Sequence, residues 1–154
     1  MSKGIRRQGR ELALKILYSL PDHEGGALEQ VFADFWRNFR FRDDLVGDIS
    51  EETEEFPPEA SRQFAETLVN GVAEYLERID QLIGEHSSNW TLERMARVDL
   101  ALLRMATFEL LYALDVPHNV VINEAVEIGK RFGSKETPAF INGILDQVAR
   151  KARP

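Results

Sequence analysis

Cysteine is absent from the 154 residues, which excludes disulfides, thiolate metal sites and cysteine nucleophiles together and suits a reducing compartment. Long uncharged apolar runs are missing too. The greasiest stretch, 98–114, is interrupted by Asp99, Arg104 and Glu109, so nothing reaches the roughly 18 apolar residues that a membrane-spanning helix needs. Glu11 and Lys15 likewise break any signal-like apolar core behind the N-terminus; no targeting segment is expected, and the expected location is cytoplasmic. Histidine is scarce. His23, His86 and His118 fall in separate connecting stretches without an i,i+3 or i,i+4 partner, so no metal site is expected. Phosphate-binding loops, Gly-x-Gly-x-x-Gly and Gly-x-Ser-x-Gly are also absent, leaving no recognisable cofactor or nucleophile motif. The expectation is a protein that is not an enzyme and uses no cofactor. Glu124 and Glu127, spaced i,i+3 beside Lys130 and Arg131, read as a solvated charged helix face rather than a catalytic pair of carboxylates.

What is present is helical. No segment alternates with period two, whereas apolar residues recur at three and four along most of the chain. A first helix carries Ile5, Leu12, Ile16, Leu17 and Leu20 and ends at Pro21; a second carries the aromatic stripe Phe32, Phe35, Trp36 and Phe39, read as core. After an acidic stretch read as an exposed loop, one long helix is predicted from Phe64 to Ile83, stopping near Gly84. Thr91 is expected to cap a nearly all-apolar central helix that runs to Leu114, and a shorter helix from Val121 ends at Gly133. Thr137 and Pro138 suit the N-cap and first turn of a last helix, in which Gly143 would admit a close neighbour. The sum is an all-α helical bundle of six or seven helices in a single domain. Leu17-Tyr18 closing the first helix and Leu111-Tyr112 closing the central one form an internal echo, which two stacked three-helix subdomains, roughly 1–84 and 85–154, would explain.

Charge is segregated along this bundle. The formal net charge is −7, which argues against indiscriminate binding along nucleic acid. Asp43, Asp44, Asp48, Glu51, Glu52, Glu54, Glu55 and Glu59 make an acidic belt, yet Lys3, Arg6, Arg7 and Arg10 make the first ten residues purely cationic. Cations at i,i+4 repel one another, and at a helix N-terminus they oppose the macrodipole. Either these side chains are simply solvated or paired with the acidic segment, or a polyanion offsets the repulsion, since guanidinium groups bind phosphates and stack on bases. Tyr18, two turns after Arg10, and Phe140, in the first turn of the last helix, are candidate base-stacking rings with core packing as the alternative.

Several strings in order resemble the NusB family. They are Arg6-Arg7-Gln8-Gly9-Arg10-Glu11-Leu12-Ala13-Leu14 with Leu17-Tyr18, Asp115-Val116-Pro117-His118-Asn119-Val120-Val121-Ile122-Asn123-Glu124-Ala125, Lys130-Arg131-Phe132-Gly133, and Phe140-Ile141-Asn142-Gly143-Ile144-Leu145-Asp146. The resemblance implies two three-helix subdomains and transcription antitermination through binding of single-stranded boxA RNA. It implies as partners the ribosomal protein NusE and, through it, the RNA polymerase antitermination complex on ribosomal RNA operons. Lys3, Arg6, Arg7 and Arg10 would contact RNA, bordered by Tyr18 and Phe140; Glu93, Asp99 and Glu136 would serve the partner side. Two other readings are an accessory RNA-binding domain of a ribosomal RNA methyltransferase system and a structural oligomerisation module, the chain being a monomer or homodimer. The segment 22–58 resembles the family only loosely.

Overall fold

The structure is a computed structural model that describes residues 2–20, 27–45, 56–87 and 90–154, with side chains left undescribed at 2, 3 and 40–45. Among the described residues there are seven α-helices, one short 3-10 turn and no strand: α1 (Ser2–Ser19), α2 (Leu28–Leu45), α3 (Glu59–Glu74), α4 (Leu76–Glu85), the 3-10 turn Leu92–Arg94, α5 (Arg97–Tyr112), α6 (His118–Phe132) and α7 (Thr137–Ala152). The all-α expectation holds. Most of the acidic stretch 43–59 lies outside the described residues, α3 beginning at its last carboxylate, Glu59. No described helix is long and apolar enough to cross a membrane.

Two compact units are present, residues 1–66 and 67–154, with α3 containing the division. In the first, Leu12, Ala13 and Ile16 form the buried face of α1, which the three-and-four spacing dictates. Gly9 lets this helix approach α3 closely: a Cβ there would sit 2.6 Å from Phe64 Cδ1 and 3.1 Å from the Ser61 carbonyl oxygen. Ser61, fully buried, donates its hydroxyl to Gln8 Oε1 at 2.7 Å, locking the same crossing. Of the aromatic stripe of α2, Phe32 and Phe39 are buried as core, while Phe35 and Trp36 are half-buried. Trp36 and Phe39 meet Phe56 at ring-centroid distances of 6.4 and 6.3 Å, and Trp36 Nε1 donates to Glu66 at 3.2 Å.

In the second unit α5, α6 and α7 pack on one another, with α4 against α5. Leu102, Leu103, Met105 and Leu110 of α5 are all but fully buried, as an all-apolar helix requires. Arg104 of α5 holds Asp80 of α4 through two parallel bonds of 2.9 and 3.0 Å, the fork geometry that favours arginine. At the far end of α5, Arg153 donates to the carbonyls of Glu109, Leu110, Ala113 and Val116 at 2.6–3.1 Å.

Several expectations need correcting. The single helix 64–83 is two helices, broken at Tyr75, whose backbone leaves helical geometry (φ −110°, ψ 22°). Thr91 makes no side-chain cap, and the 3-10 turn intervenes before α5. Thr137 lies inside α7 rather than capping it, because its hydroxyl is committed elsewhere. Gly143 faces open space and admits no neighbour. Glu127 pairs with Lys130 at 2.8 Å on the surface as read, but Glu124 is buried, on the side of α6 that carries Val121, Ala125 and Ile128.

Candidate nucleic-acid interface

The cationic start of the chain is resolved by the packing of α1 into three different environments. Gly9 and Ser61 fix the rotation of α1, and that rotation leaves Arg6 exposed, with no ion pair to any described residue. Arg7 is half-buried and engaged. Arg10, expected on the same surface, is instead only 3% exposed, its guanidinium 5.4 Å above the Phe64 ring. Next to Gly9 in the chain, its position faces inward, so its stem and its charge are used for packing. Lys3 lies in the first turn of α1, its side chain outside the description. Tyr18, by contrast, is 46% exposed near the end of α1.

At the start of α7 a buried polar network sets the geometry. Thr137, fully buried, donates from Oγ1 to Asp99 Oδ1 at 2.6 Å and accepts from the Ser134 backbone N–H at 3.0 Å. Asp99 was expected on a partner-facing surface; it is 9% exposed and spent on this bond, which ties the first turn of α5 to the first turn of α7. Its carboxylate is therefore an internal brace. Glu93 in the 3-10 turn and Glu136 just before α7 are exposed, as a protein-facing role requires. Phe140, in that braced first turn, is half-buried, with a ring edge-to-face against Trp90 at 6.2 Å.

Trp90 was missed by sequence reasoning, since it sits in the short non-periodic stretch before the 3-10 turn. The available signal was a large aromatic placed outside every apolar stripe. Arg153 was missed as well, because a residue beyond the last helix carries no periodic signature. Among the described residues no group of His, Asp or Glu side chains could hold a metal ion.

Comparison with known proteins adds findings of three kinds. A model described as the NusB family matches residues 7–150. Transcription antitermination protein NusB of Syntrophotalea carbinolica is 62% identical over 154 residues, which are 100% of this chain and 97% of that protein. Its counterpart in Geobacter sulfurreducens is 48% identical, covering 95% of this chain and 94% of that one. Among solved structures, T. maritima NusB superposes with a TM-score of 0.76 at 32% identity, over 97% of this chain and 93% of that one. A crystal structure of antitermination factors NusB and NusE in complex with dsRNA matches with a TM-score of 0.75, over 96% of this chain and 98% of that one; at 20% identity it speaks to fold alone.

Proposed function

Because the chain belongs to the NusB family, we propose that it is a cytoplasmic, non-enzymatic transcription antitermination factor that binds boxA RNA together with the ribosomal protein NusE and so alters RNA polymerase elongation. The family match across nearly the whole chain carries this reading. Exposure and packing support the following assignment of residues. Arg6 and Arg7, with Lys3 before them, make the cationic contact to phosphates; Tyr18 and Phe140 offer rings to bases; Glu93 and Glu136 face the protein partner. Arg10 and Asp99 act one step back, Arg10 by holding α1 on Phe64 and Asp99 by holding the start of α7.

The test is a titration of boxA-like single-stranded RNA into the full chain, with and without NusE, across a salt series. Each phosphate neutralised on a single strand contributes about −0.7 to the log–log slope of affinity against salt. Arg6→Glu combined with Arg7→Glu is expected to weaken binding at least tenfold at low salt and to flatten that slope by about 1.4, two contacts' worth. An unchanged slope in the double variant would overturn the assignment of these two residues. A duplex of the same sequence is the second arm, since the fold neighbour containing NusE holds dsRNA.

A further inference from the structure

Folding leaves Trp90 half in water. The residue is 51% exposed, although an indole carries one of the largest apolar surfaces a side chain can bury. The backbone beneath it is clasped on both sides: Trp90 N–H donates to the Ser87 carbonyl at 2.8 Å, and Ser87 Oγ donates to the Trp90 carbonyl at 3.1 Å. Ser87 is itself buried, so the clasp is anchored in the second unit. The ring is therefore presented from a fixed base rather than from a loose tether, and little ordering is left to be done on binding.

The geometry around it is that of a corner. Trp90 and Phe140 stand at 78° to one another with centroids 6.2 Å apart, so a flat heteroaromatic ring lying on one face meets the second ring at its edge, both favoured arrangements for π-systems. Among the described residues the Trp90 indole N–H has no hydrogen-bond partner, leaving a donor at the rim. In sequence the pair is flanked by Glu93 and Arg94 on one side and by Lys135 and Glu136 on the other, charges that cancel. Attraction at this corner thus comes from stacking rather than from net charge.

We propose that Trp90 and Phe140 form a base-stacking subsite in which Trp90 contacts an unpaired RNA base directly, a role distinct from the phosphate contacts of α1. The proposal rests on the RNA-binding reading above and names the chemistry of one part of that site: a sequence-tolerant aromatic platform for a single-stranded nucleotide.

Full-length protein with Trp90→Ala, Trp90→Phe, and Arg6→Glu with Arg7→Glu is titrated with fluorescein-labelled boxA-like single-stranded RNA in the presence of NusE. Trp90→Ala is expected to weaken binding about 5- to 150-fold, the range that loss of one stacked base produces, while its salt slope matches the unaltered protein because a neutral ring neutralises no phosphate. Trp90→Phe should retain most of the affinity. Since the chain has only two tryptophans, Trp36→Phe leaves Trp90 as sole reporter, and its emission should be quenched when RNA is added to that variant alone. Unaltered affinity in Trp90→Ala, a flattened slope, or no quenching at saturation overturns the subsite. Weaker capture of NusE with RNA affinity intact does so as well, and assigns the corner to the protein partner. If the unaltered chain ignores RNA, or the arginine variant binds as before, the underlying reading is what has failed.

Discussion

A hydrogen bond from the Thr137 hydroxyl to Asp99 ties down the first turn of α7. Both groups are buried, so removing the hydroxyl takes the donor from Asp99 and the acceptor from the Ser134 N–H, while removing the carboxylate takes from the Thr137 hydroxyl its closest acceptor, at a cost of about 1–3 kcal/mol. Asp99→Ala and Thr137→Val are each expected to lower stability by that amount in chemical denaturation. The double variant should lose less than the two losses combined, because the second change removes a group already orphaned. Strict additivity would show that the 2.6 Å bond contributes nothing. This network was not readable in the sequence: a threonine before proline at the head of an apolar stripe looks like a cap, and an aspartate in a first turn looks solvent-facing. Only the packing of α5 on α7 turns both side chains toward each other. The same holds for Arg10, which in sequence is one of four equivalent cations; Gly9 and Phe64, neighbours only after folding, separate it from Arg6.

Elements were more legible than their ends. The stripes of α1, α2, α5 and α6 follow the three-and-four spacing because one face of each meets the interior, and that face is written directly in Leu12 and Ile16 or in Val121, Ala125 and Ile128. The break between α3 and α4 was hidden because the spacing Leu68, Val72, Leu76, Ile79 runs through it without interruption. Tyr75, which carries the break, stacks on Tyr112 of α5 at 4.0 Å, and Gly71 leaves room for the Phe108 ring where a methyl group would overlap it. At this same end of α5 the last carbonyls face the problem of every helix C-terminus, acceptors with no following N–H. One side chain from beyond α7 helps to answer it, since the Arg153 guanidinium reaches the Glu109 and Leu110 carbonyls of the last turn, the Ala113 carbonyl at its cap and the Val116 carbonyl just beyond, and its positive charge suits the negative end of the helix. Arg153→Ala is expected to destabilise the protein by about 2–3 kcal/mol and to speed amide exchange in the last turn of α5. Lysine at this position should recover only part of the loss, because an ammonium cannot span the four acceptors with fixed planar geometry. Full recovery by lysine would mean that charge alone, not the fork, is what matters.

For the molecule as a whole, the proposed function raises the question of how an acidic protein, at −7, would take hold of a polyanion. The eight carboxylates between Asp43 and Glu59 exceed that net charge, so the rest of the chain is close to neutral and the net repulsion of a polyanion originates in that one segment. Such a field falls off over about 10 Å at 0.1 M salt, so its effect on RNA must be kinetic and salt-dependent. Replacing the five aspartates and glutamates at 48, 51, 52, 54 and 55 with their amides is expected to raise the association rate for RNA several-fold near 50 mM salt, leaving the dissociation rate little changed, because steering acts on encounter rather than on the contacts once made. By 0.5 M salt, where screening is shorter than a side chain is long, the difference should vanish. Stopped-flow measurement of both rates across that range separates the possibilities. A gain that persists at high salt would mean that the acidic segment occludes the binding surface itself; no gain at any salt would mean that the segment acts too far from the arginines of α1 to be felt.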